Sequence, residues 1–335
     1  MKQIFKTIYG SHLYGSNVET SDTDFKGVYL PSAREILIGK VPKTETHNSN
    51  NQKNTKNTKE DTDIQLYSIG KFLNDLAGGQ TYALELLFAS EEFWTEEPDK
   101  VWHNIRKNTD KLISSDISAL IGYARAQAYK YGEKGKRLGV FNDVVDFLKP
   151  KFPGHKLVQA FSSDPKFKEL QEKHKDFIKI KKFVKDEVSD TEYIDVNGVA
   201  VPLGASVEYA LSVYEPRAAE YGARATQAML DGGIDLKAVY HSVRISKQGT
   251  ELLETGNITF PRPESKLLLE IRNNHYTIKQ LTDIVDSAFE EVRQAEKTSK
   301  LPKKVNRKFI DDLLINAHID VIMDECDLQY KPIID

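Results

Sequence analysis

Gly10-Ser11-His12-Leu13-Tyr14-Gly15, with Ser21-Asp22-Thr23-Asp24-Phe25 shortly after it, is the stretch on which the reading of this chain turns. Before it, Gln3 to Ile8 alternates apolar and polar residues like a half-buried strand, and Gly10-Ser11 ends that strand where a short helix begins. A glycine lets the backbone approach a ligand closely, a serine hydroxyl adds a donor, and the first turn of a helix presents N–H groups to an anion such as a nucleotide's phosphates. After it, the period of two along a strand sends Asp22 and Asp24 to one face and Thr23 and Phe25 to the other. Two carboxylates side by side repel unless cations bridge them, and Mg²⁺ favours carboxylate oxygens together with substrate phosphates. Ser-Asp-Thr-Asp read alone is a polar turn. The strand signal that continues through Gly27-Val28-Tyr29-Leu30 to Pro31 instead places the pair at the start of a strand.

These residues carry a resemblance. Gly10-Ser11, Gly15 and Asp22-Thr23-Asp24 resemble the signature of the polymerase β-type nucleotidyltransferase superfamily. Within it, Gly-Ser-His-Leu-Tyr-Gly, Ser-Asp-Thr-Asp-Phe-Lys-Gly-Val-Tyr-Leu-Pro, Lys71-Phe72-Leu73 and Leu84-Glu85-Leu86-Leu87-Phe88 are similar to the bacterial and phage branch named for an RNA repair pathway. Lys237-Ala-Val-Tyr-His241-Ser-Val-Arg244 and Leu253-Glu-Thr-Gly256 extend the likeness into the C-terminal half. The chain departs from that branch at Gly79-Gln80-Thr81, which stands where an Asn-Pro pair is expected.

The resemblance implies a third carboxylate on a neighbouring strand. In Asp63-Ile64-Gln65-Leu66-Tyr67-Ser68, Asp63, Gln65 and Tyr67 share one face and Ile64 and Leu66 the other, which makes Asp63 the favoured candidate. Asp61 competes, two residues earlier on the same face but against a polar tract. Glu85, an acid inside the apolar run Tyr82 to Phe88, is either a site residue that touches substrate or a carboxylate paired for structural reasons.

Composition bounds the rest. The 335 residues suffice for about two domains, and an apolar fraction of 39% supports ordinary buried cores. The single Cys326 excludes an internal disulfide and a cysteine-rich zinc module. No stretch approaches the roughly 20 apolar residues of a membrane span, and the N-terminus lacks a signal-peptide core. The expected location is the cytoplasm of a bacterium or a phage-infected host. Lys and Arg number 47 against 50 acids, so nucleic-acid contacts must come from local patches.

Thr44 to Thr62 is rich in Asn, Thr and Lys and nearly free of apolar residues, which predicts a mobile loop, a disordered insertion near 43–60. It is read as a tolerated surface insertion or a flap over the site. Ser68 to Leu76 predicts a helix burying Ile69, Phe72, Leu73 and Leu76. Asp116 caps a second helix carrying Ile117, Leu120, Ile121, Ala124 and Ala128. Lys134, Lys136 and Arg137 form a cationic cluster, solvated or set against phosphates. Asp164 to Val188 reads as a polar helical segment, and Asn197-Gly198 marks a hairpin. Tyr214, Arg217, Tyr221 and Arg224 fall on one face of a helix, as a packing stripe or as groups that stack a base and hold phosphates.

Lys237, His241 and Arg244 share one helical face at spacings of four and three. In the branch the chain resembles, this helix flanks the nucleotide cleft, which implies a triphosphate clamp; on the residues alone a surface stripe is the alternative.

The expectation is an α+β protein: a small mixed-sheet nucleotidyltransferase domain over 1–110, then a mostly helical domain over 111–335 that closes on nucleotide and substrate. The resemblance implies transfer of a nucleoside monophosphate from a nucleoside triphosphate such as ATP to an acceptor hydroxyl. Asp22, Asp24 and Asp63 would hold Mg²⁺ or Mn²⁺, two ions in all, and Gly10 and Ser11 the phosphates. The acceptor stays open among an RNA end, a tRNA end included, and a protein hydroxyl. Nucleotide sensing without turnover is the non-enzymatic alternative.

Overall fold

In the computed structural model, residues 1–49, 61–131, 134–162, 164–184, 190–219 and 234–326 are described. The N-terminal sheet follows from where the chain can and cannot keep extending. β1 (Lys2–Tyr9) ends at Gly10, whose φ of +66° breaks the strand, and β2 (Thr23–Leu30) pairs back on it antiparallel. Pro31 stops β2 and Ser32 caps the short helix Ala33–Leu37, Glu35 closing a capping box. The chain then lays down β3 (Thr44–Asn48) and β4 (Thr62–Ser68), with β4 between β2 and β3, giving the order β1-β2-β4-β3. β2 and β4 run parallel and the other pairs antiparallel, the mixed sheet expected.

β3 corrects one expectation. Thr44–Asn48 falls inside the tract read as a mobile loop, yet it forms a ladder with Asp63 to Tyr67. An edge strand takes its hydrogen bonds from its neighbour and can stay largely exposed, so an apolar-poor composition does not forbid it. Residues 50–60 of that tract lie outside the described residues.

The chain divides into two compact units, one of residues 1–127 with 240–335 and one of 128–239. In the first, Ser68 caps the helix Ile69–Ala77, which buries Ile69, Phe72, Leu73 and Leu76 at helical spacing. Phe5 of β1 stacks on Trp102 at 3.9 Å between ring centroids, and Phe72 packs on the same indole at 5.2 Å. Each such buried ring contributes about 1.5–3 kcal/mol by leaving water. The helices Thr81–Phe88, Ser265–Arg272, Ile278–Thr298 and Arg307–Glu325 belong to this unit, as does most of the helix Leu236–Thr255.

The second unit has its own core, with Phe141, Val144, Leu148, Leu157, Ile194, Val196, Val207 and Tyr214 among its members. It also carries a sheet. β5 (Ile178–Val184), β6 (Asp190–Val196) and β7 (Val199–Pro202) form an antiparallel meander. The β6–β7 turn is the expected Asn197-Gly198, both with positive φ. β5 corrects the reading of Asp164 to Val188 as helical: among the described residues there only Lys166–Lys173 is a helix, and Ile178 is buried on a strand whose lysines masked its alternation. Among the described residues no helix is long and apolar enough to cross a membrane.

Candidate active site

The parallel register of β2 and β4 brings together acids that are remote in sequence. Asp24 lies directly beside Asp63, and Asp22 precedes Asp24 on the same face at the mouth of β2. One oxygen from each of Asp22, Asp24 and Asp63 falls within 4.8 Å of the others, all three side chains being half-buried. Asp61 is not in this group. Its carboxylate accepts the Ser49 hydroxyl at 3.0 Å. Three hard oxygen donors at a strand mouth fit a divalent cation that keeps further positions for substrate oxygens.

Against this cluster sits the glycine turn. Tyr9 is the cross-strand partner of Asp24, and the next residue, Gly10, opens the helical turn Gly10–Leu13. A β-carbon at Gly10, where φ is +66°, would lie 2.3 Å from Asp24 Oδ2, so the turn's backbone lies close against the carboxylate. Ser11 is half-buried in that turn, and its carbonyl accepts the Ser16 amide at 2.9 Å.

Behind the turn lies a buried polar network. Glu85 is wholly buried on the helix Thr81–Phe88. Its Oε2 accepts the hydroxyls of Tyr9 and Tyr14, the latter at 3.0 Å, and its Oε1 accepts Arg244 Nη1 and, at 3.0 Å, Gln248 Nε2. The Arg244 guanidinium also lies over the Tyr14 ring at 3.9 Å. Burial pushes the Glu85 carboxyl up, but Arg244, the Tyr9 and Gln248 hydrogen bonds and Lys26 outweigh it and hold it below the ordinary carboxylate value. Burial raises both tyrosines well above their usual range.

Lys26 follows Asp24 on the same face of β2, and its ammonium sits 4.1 Å from the Tyr9 ring centroid and 5.5 Å from that of Tyr82. Burial lowers its pKa, with Glu85 and Asp24 opposing. Sequence reasoning passed over Lys26, Tyr9 and Tyr14. The signal for Lys26 was present, since the alternation that pairs Asp22 with Asp24 continues to it.

The other residues singled out in the sequence are spread through the molecule. Of the three cation-capable groups on the helix Leu236–Thr255, Lys237 is exposed, His241 half-buried and Arg244 buried against Glu85. Glu85 and Arg244 thus face each other in the described structure, and neither opens to solvent. In the second unit, Lys134 begins the helix Lys134–Leu148 and Lys136 and Arg137 are exposed near its start; Arg217 is exposed on the helix Val207–Ala219. Tyr221 and Arg224 lie outside the described residues.

Residues 1–141 match the RNA repair pathway DNA polymerase beta family. Over 334 residues the chain is 31% identical to an uncharacterized 38.9 kDa protein from the nrdC-mobD intergenic region of Enterobacteria phage T4, an alignment covering 96% of this chain and 98% of the phage protein. No solved structure matches it.

Proposed function

The chain belongs to the RNA repair pathway DNA polymerase beta family, and on that footing we propose that it is a nucleotidyltransferase acting on RNA ends. The observation that carries the reading is the convergence of Asp22, Asp24 and Asp63 beside a glycine turn that lies on Asp24. In the proposed reaction an acceptor hydroxyl attacks the α-phosphate of a nucleoside triphosphate in line, and pyrophosphate leaves. Asp22, Asp24 and Asp63 would hold Mg²⁺ or Mn²⁺, two ions in our reading. Bound there, the cation supplies Lewis-acid charge to phosphate and acceptor oxygens. Ser11 and the amides of the turn donate to the leaving phosphates and orient them. No side chain forms a covalent intermediate. Lys237 and His241 are proposed nucleotide contacts, and Lys134, Lys136, Arg137, Arg217 and Arg224 proposed contacts to an RNA backbone. The RNA acceptor comes from the family's description.

Incubating the protein with α-³²P-labelled nucleoside triphosphates, Mg²⁺ or Mn²⁺, total RNA and total protein tests this directly. Label entering RNA, and lost in Asp24→Asn, is the expected result. Label entering protein would replace the acceptor, and label entering neither while nucleotide still binds would overturn transfer in favour of sensing.

A further inference from the structure

The two residues that bracket the Gly10–Leu13 turn end on a single oxygen atom. Tyr9 closes β1 and Tyr14 follows the turn, and both donate their hydroxyls to Glu85 Oε2. The opposite oxygen is held by Arg244 and Gln248. Packing alone would be served at position 85 by an apolar side chain such as its neighbours Leu84, Leu86 and Leu87, all buried on the same helix. A wholly buried carboxylate is costly unless its lone pairs are satisfied, and apolar residues in place of an entire buried ion pair are often no less stable. Four donors converge on Glu85, two of them from the ends of one short turn, so its role is sought in what those donors carry.

What they carry is the turn that rests on Asp24. Tyr9 is the strand partner of Asp24, and the backbone at Gly10 lies so close to Asp24 that a β-carbon there would sit 2.3 Å from Oδ2. Contacts at both ends fix the distance of the turn from β2 and its rotation. We propose that Glu85 is a positioning residue: through the hydroxyls of Tyr9 and Tyr14 it holds the Gly10–Leu13 turn in register with Asp24, aiming the turn's amides and the Ser11 hydroxyl before a nucleotide arrives. Arg244 then serves as the counter-charge that fixes Glu85. The geometry stands by itself; the consequence for nucleotide rests on the nucleotidyl-transfer reading.

Replacing Glu85 would strand the Arg244 guanidinium and could unfold the protein, so the deciding variants are Tyr9→Phe, Tyr14→Phe and their combination in the full chain. Each removes one hydroxyl and keeps the ring. The readout is hydrogen exchange at the amides of Tyr14, Gly15 and Ser16, which bond the carbonyls of Gly10, His12 and Ser11. It is taken alongside the melting temperature and the nucleotide KM and kcat. Exchange at those three amides should quicken by about ten-fold per hydroxyl, the scale of one hydrogen bond to a charged group. Amides of Val28 and Leu66 in β2 and β4 should keep their rates, and nucleotide KM should rise several-fold with less change in kcat. Unchanged exchange at the turn would overturn the proposal. So would faster exchange spread evenly over β2 and β4 with a lowered melting temperature, since that is the mark of lost packing. If the turn loosens as expected but the parent protein takes no nucleotide, the positioning role holds and the nucleotidyl-transfer reading falls.

Discussion

Each of the two sheets carries an aspartate on an inner strand, and the two have different neighbours. Asp195 on β6 of the meander faces Lys179 across the strand pair, is bound by Lys181 Nζ at 2.5 Å and accepts the Gly198 amide at 2.7 Å. Burial raises its pKa, but Lys181 and the amide more than offset that and hold it below the ordinary value. Asp24 on β2 has Asp63 as its direct neighbour, with Asp22 two residues before it. Opposite charges across a strand pair stabilise it and like charges do the reverse. The antiparallel meander answers the charge of Asp195 within itself. The parallel β2–β4 pair sets two strand mouths side by side at one end of the sheet, where a divalent cation would lower the mutual repulsion of the acids gathered there. On the proposed function, the difference separates an aspartate that serves the fold from one whose cost to the fold would be recovered in nucleotidyl transfer.

The largest effect should come from the like-charged cluster. Asp24→Asn keeps the shape and removes one charged ligand, so transfer should fall by about 10³-fold or more, at or beyond the scale of losing one preorganised charge-stabilising group. Metal-free melting temperature should hold or rise, because a repulsion is relieved. Calorimetric titration with Mn²⁺ and a thermal melt measure the two halves. A variant that keeps its turnover, or loses stability as an Asp195 variant would, would erase the contrast between the sheets.

Next comes the buried pair of the first unit. Arg244→Met leaves Glu85 buried without its cation and should cost about 3–5 kcal/mol in urea unfolding. The pH dependence has a definite sign. Glu85 is held below its ordinary value of 4.5 in the folded protein. The stability this confers is therefore complete above that value and disappears as pH falls through the folded-state pKa. The stability advantage of the parent over Glu85→Gln should be constant from neutral pH down to about pH 5, by the same linkage, and close on further acidification. An advantage that widens in acid would mean that Glu85 is protonated in the folded state.

The same contrast explains what the sequence made legible. Asp22, Asp24 and Asp63 stand out because period-two alternation is a local property, readable within a few residues of each acid. Their meeting depends on a parallel register, which the alternation could not give; the resemblance implied a neighbouring strand and no more. Glu85 and Arg244 are 159 residues apart, and nothing near either one names the other. Spacing on the helix Leu236–Thr255 grouped Arg244 with Lys237 and His241 and was silent on which of the three would be buried. β3 was hidden because an edge strand draws its stability from β4 rather than from its own composition, and β5 because lysines surround its one deeply buried isoleucine.

The smallest effect should be found at the other aspartate. Lys181 is about half exposed, its side chain at 46%, and it meets an Asp195 side chain at 11%. A pair with one partner in water is screened and pays entropy to hold a long side chain in place, which limits its value to about 0–1 kcal/mol. Lys181→Met should therefore shift the unfolding midpoint only slightly. Asp195 keeps the Gly198 amide and the neighbouring Lys179 to offset its charge. Transfer activity should be unchanged, because the substitution adds no charge and removes none from Asp22, Asp24 or Asp63. Urea unfolding followed by a turnover assay checks both statements. A loss above about 2 kcal/mol, well outside the range of such pairs, would show that the meander depends on this ion pair as the first unit depends on Glu85. The two aspartates would then differ more widely still, one holding its sheet together and the other costing its sheet stability.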